Sequence, residues 1–144
     1  MNLYAERYFW GFDGEDKALT NDIAQLIGID NIAMPVKTIR LEAGYWRKAN
    51  HIHQWFVNNV QDGEDNCQDA CVGRDYLREL RDLCQQVLDD NTKASTLLPT
   101  SEGFCFGGKD YNQWYFADIV DTIKIIDQAL ALPKDWEFSY RASW

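Results

Sequence analysis

The chain has 144 residues, 46% of them hydrophobic and 14% aromatic, with a formal net charge of −9. That length and apolar content suit one globular domain with a sizeable core and exclude a disordered polymer. The charge repels a phosphate backbone, so direct nucleic-acid binding is not expected, and no run of about 18 apolar residues offers a membrane span.

In chain order, Leu3 to Phe12 is dense in aromatics and predicts a strand, closed by the turn signal Gly11-Phe12-Asp13-Gly14. Residues 16–27 place Leu19, Ile23, Leu26 and Ile27 at helical spacing, with Gly28 as a stop. Pro35 bars helix, and Val36 to Leu41 alternates as a half-buried strand. Gly44 then separates that strand from a helix of about 16 residues, with Tyr45, Ala49, Ile52, Phe56 and Val60 near one face. Lys48, His51 and Trp55 form a second row, displaced from the core face, and His53 borders it. Gln61 to Gly73 reads as a polar loop, and Leu77, Leu80, Cys84, Val87 and Leu88 predict a third helix ending near Asp89-Asp90-Asn91. Leu97 to Thr100 is a connector, and Phe104-Cys105-Phe106 looks extended between glycines. Asp110 stands as the cap of the longest helix, with Gln113 at the capping-box position, a stripe from Phe116 to Leu130 and a stop at Pro133. Trp136 to Tyr140 alternates as a last strand. The order predicts an α+β fold: a single domain over residues 1–144, with a small, mostly antiparallel sheet and about four helices packed on one face. The terminal strands are expected to be neighbours.

The start of the chain shows no basic region followed by an apolar stretch, so no secretory signal is expected and the reading is cytoplasmic. Reduced cysteines follow from that compartment. Cys84 and Cys105 read as small buried hydrophobes. Cys67 and Cys71 have a wider spacing than zinc pairs and no second pair to match, so no metal site and no cofactor is expected.

Two aromatic-rich blocks carry a resemblance. One is Tyr45-Trp46-Arg47-Lys48-Ala49-Asn50 with His51-Ile52-His53-Gln54-Trp55-Phe56-Val57. The other runs from Leu98-Pro99-Thr100 through Gly103-Phe104-Cys105-Phe106-Gly107 to Trp114-Tyr115-Phe116-Ala117-Asp118, and the closing Ser143-Trp144 fits with it. These blocks resemble a family of small bacteriophage- and prophage-encoded proteins with no assigned activity. The resemblance implies a phage or mobile-element setting and no specific chemistry.

The residues leave two functional readings, and the sequence favours the first, since no nucleophile–base pair, metal set or phosphate loop is visible. In the first, the protein is a non-enzymatic accessory factor that binds and inhibits or modulates a host defence or regulatory protein. The acidic loop residues Asp62, Glu64, Asp65 and Asp69 would then meet a basic partner. The bland alternative for that loop is a solvated charge run. In the second reading, Arg47, Lys48 and His51 form an anion pocket for a nucleotide-like molecule, which the protein sequesters or acts on. Trp46, Trp55, Tyr111 and Trp114 supply stacking surface. The bland alternative is pairing of the two cations with Glu42 or Glu102. His51 and His53, two residues apart on a helix, point about 200° from each other and cannot share a metal. His51 is read as exposed near Trp55, and His53 as a core histidine with a bonded nitrogen. Asp118 and Asp121 read as surface carboxylates, with Lys124 as the ion-pair partner of Asp121 or of Asp127. No nucleophile–base pair or phosphate-cradling glycine loop is spaced for catalysis, so the chain leans away from an enzyme. The oligomeric state is open.

Overall fold

Alternation of apolar and polar side chains gives the sheet one buried and one open face. The structure, a computed structural model, describes residues 1–11, 14–30, 34–101 and 110–143. Within them the elements are β1 (Asn2–Tyr8), α1 (Gly14–Leu26), β2 (Thr38–Tyr45), α2 (Asn50–Val60), β3 (Ala70–Val72), α3 (Arg74–Asp89), a 3-10 turn (Asn91–Lys93), α4 (Ala94–Leu97), α5 (Gln113–Ala131) and β4 (Glu137–Arg141). The four strands form one antiparallel sheet in the order β2-β1-β4-β3. The fold is α+β, and the terminal strands do pair, with Leu3 opposite Tyr140 and Ala5 opposite Phe138.

Those four side chains are buried, and they share a face because neighbours in a strand point to opposite sides. Helices α2, α3 and α5 cover that face with Ile52 and Phe56, Leu77 and Leu80, and Ile119 and Ile126. Each such side chain contributes roughly 1.5–3 kcal/mol when fully removed from water. The Phe56 ring stacks on Tyr140 with centroids 4.0 Å apart, which locks α2 to β4. The opposite face is polar. There Arg40 lies over the Tyr4 ring at 4.2 Å and pairs with Glu6.

Four details differ from the sequence reading. The helix predicted from Tyr45 starts only at Asn50: β2 runs through Gly44 to Tyr45, because Leu3 pairs with Gly44 and Asn2 with Tyr45. A Cβ at Gly44 would stand 2.2 Å from Ile125 Cγ2, so β2 meets α5 at a point with room only for glycine. Within the polar loop, Ala70–Val72 forms β3 through its pairing with β4, a tertiary contact that three residues cannot announce. Asn112, not Asp110, caps α5, accepting from Trp114 N at 2.9 Å and Tyr115 N at 3.3 Å. Finally, α1 forms but does not bury its apolar stripe. Leu26 and Ile27 are 86% and 59% exposed, and its buried residue is Asp16, tied to Arg7 at 3.2 Å. The Phe104-Cys105-Phe106 segment, Glu102, the Phe12-Asp13 turn residues and Trp144 lie outside the described residues.

Candidate functional site

Between β2 and α2 the chain bends sharply. Lys48 takes a left-handed backbone conformation (φ 64°), and Asn50 N donates to Lys48 O at 2.9 Å. A non-glycine residue held there costs roughly 1 kcal/mol or more and persists only where surrounding structure enforces it. The bend throws the Arg47 and Lys48 side chains outward. It also starts α2 on Ala49, which has no side chain to cap it. Across from it lies the start of α5. The two helix ends border a cleft of about 310 Å³. Arg47, Lys48, Asn50 and His51 line one side, and Asp110, Asn112, Trp114 and Asp118 the other. A helix N-terminus carries about half a positive charge; the first residues of both helices line this space, with Asn112 already accepting from two amides of α5.

Neither Arg47 nor Lys48 forms an ion pair among the described residues. Glu42 instead accepts from Asn2 Nδ2 at 2.7 Å on the other side of the sheet edge. His51 corrects the sequence reading. It is 3% exposed, its ring lies 4.2 Å from Tyr115 rather than against Trp55, and its Nε2 is buried without a hydrogen-bond partner among the described residues. Burial pushes its pKa down to about 3, so it stays a neutral imidazole near neutrality and adds no cation to the site.

Two of the four aromatic candidates move into the core. Trp46 is buried, donating from Nε1 to Thr122 Oγ1 at 2.8 Å, while Thr122 donates in turn to Asp118 O at 2.7 Å. Trp55 is buried edge-on against Phe56, at 5.3 Å between centroids. Neither offers a stacking wall. Trp114 does, being 70% exposed at the cleft. Tyr111 stands beside it, its ring 5.0 Å from Tyr115 and its hydroxyl accepting from Thr100 N at 3.3 Å.

Asp118 is the residue that sequence reasoning misplaces. Lys124 does pair with Asp121, at 2.8 Å. Asp118, however, is half-buried in the cleft wall, and no donor reaches its carboxyl among the described residues. Burial first, and the nearby Asp121 charge second, raise its pKa to about 6. The signal was present in its spacing: Asp118 lies four residues after Trp114, hence on the same side of α5.

The acidic loop is only partly free. Asp65 accepts from His53 Nε2 at 3.0 Å, and His53 Nδ1 meets the Tyr140 hydroxyl at 2.7 Å. A carboxylate only accepts, so Nε2 carries a proton and donates to Asp65. His53 is thus the bonded core histidine that its position predicted. Asp69 lies 3.8 Å from Arg40 and 3.6 Å from Arg141. Asp62 and Glu64 remain exposed. Among the described residues no three His, Cys, Asp or Glu side chains gather as a metal cluster. Cys84 is buried, which raises its thiol to about 12, while Cys71 is exposed and Cys67 half-buried. No helix of the described residues is long and apolar enough to cross a membrane.

Compared with protein-family models, with curated proteins and with solved structures, the chain matches none. The cleft therefore stands on its own geometry. It offers two cations and two helix ends for an anion, an indole face for a planar ring, and carboxyl groups that accept from hydroxyls or amines.

Proposed function

We propose that the protein binds a small nucleotide-like anion in the cleft between the starts of α2 and α5. One observation carries this reading. Two adjacent cations free of ion pairs among the described residues, Arg47 and Lys48, line one cleft with His51, whose buried Nε2 has no hydrogen-bond partner there, at the starts of α2 and α5. Cations at the start of a helix oppose its dipole unless an anion joins them. Arg47 suits phosphate because its fork donates two parallel hydrogen bonds. The exposed Trp114 face suits a base. The role is binding, in keeping with an accessory factor of phage or mobile-element type that sequesters its ligand in the cell. Capture of a basic host protein by the acidic loop has less support, since Asp65 and Asp69 are already held by side chains of this chain.

A thermal-shift screen of nucleoside mono-, di- and triphosphates tests the proposal. Saturation at a hundred times Kd stabilises the native state by about 2.7 kcal/mol, a shift of several degrees. Arg47→Ala is expected to weaken binding by roughly 1–3 kcal/mol, the scale of a lost charge-assisted hydrogen bond. No shift with any of these nucleotides retires the proposal.

A further inference from the structure

Resting on that reading, we infer that Asp118 makes the cleft selective for a bipolar ligand, a phosphate joined to a hydroxyl-bearing ring as in a nucleoside phosphate, and turns away bare phosphate chains. The cleft is not uniformly cationic. Arg47 and Lys48 project from the bend before α2, while Asp118 sits on the facing wall, one turn into α5. A carboxyl there lowers affinity for any ligand that is anionic throughout, since like charges across a narrow space repel. The half-buried carboxyl lacks a donor among the described residues. Its oxygens keep access to water, so a ligand hydroxyl that reaches them exchanges water for a charge-assisted hydrogen bond. Burial first, and the Asp121 charge second, disfavour the ionised form of Asp118. A ribose diol provides two hydroxyls joined to a phosphate and to a flat base. The cleft carries a matching feature for each: Asp118, the cation pair and the Trp114 face. A site built to hydrogen-bond a ligand hydroxyl disfavours the analogue that lacks it.

The test is calorimetric titration of the intact protein with adenosine, guanosine, cytidine and uridine 5′-monophosphates and with inorganic pyrophosphate. Asp118→Asn keeps the shape and the backbone carbonyl that Thr122 uses. It is expected to weaken at least one nucleotide tenfold to a hundredfold, the usual worth of a charged hydrogen bond, while leaving pyrophosphate unchanged or tightening it. Asp118→Glu, which keeps the charge but moves it, is expected to weaken the nucleotide and still exclude pyrophosphate. If nucleotides bind and depend on Arg47 but Asp118→Asn changes both ligand types equally, or neither, the inference falls and the cleft reading survives. If no nucleotide binds the unaltered protein, both fall.

Discussion

His51 shows how surroundings decide what a titratable side chain can do. Its folded pKa of about 3 lies far below the ordinary histidine value of about 6.5. Below that ordinary value the unfolded chain takes up a proton that the folded chain refuses. The stability tied to His51 is therefore complete above about pH 6.5 and is lost as the pH falls towards 3. At pH 5 the loss amounts to about 2 kcal/mol, from about 1.4 kcal/mol per unit. Between pH 7.5 and pH 5, urea unfolding should show the natural sequence losing about 2 kcal/mol more than His51→Gln, the opposing gain from Asp118 being common to both. Equal losses in both would contradict the neutral, buried imidazole. The residue type was legible in the sequence, but its environment was not. The row Lys48, His51, Trp55 was placed on a helix with one wet side, whereas α2 buries seven of its eleven residues and has almost no wet side.

At the scale of elements, β2 and α5 meet at one close approach. Gly44 sits opposite Ile125 with no space for a methyl group. Gly44→Ala should cost roughly 1–3 kcal/mol, the scale of overpacking in a closed core. Ile125→Ala removes the clashing Cγ2, so the double variant should lose less than the sum of the two single losses. Additive losses, measured by chemical denaturation, would mean that the two positions do not press on each other. The sequence announced most elements through hydrophobic period: α3, α5, β4 and the start of β1 all lie within a few residues of their predicted bounds. It failed where a long-range pairing decided the outcome. Gly44 reads locally as a break, but its ladder partner Leu3 extends the strand across it. Likewise β3 exists because β4 lies alongside, not because of its own three residues.

Across the whole molecule, the two chain ends supply the central strands, and the helical layer covers one face of the sheet. Of the seven side chains that the sequence offers for a ligand, Arg47, Lys48, His51 and Trp114 converge on one cleft, while Tyr111 touches Tyr115 and Thr100 of its lining. Trp46 and Trp55 do not, because burying large apolar area outweighs leaving it wet. Composition could say that the chain was aromatic-rich but not which rings would be inside. That division of the indoles has a practical outcome. Trp46 and Trp55 are shut in the core, Trp136 is partly covered, and Trp10 and Trp114 face solvent. The protein thereby carries its own optical reporter at the cleft: a stacked base should dim the red-edge emission of Trp114, the dimming should vanish in Trp114→Phe, and the emission of the enclosed indoles should stay as it was.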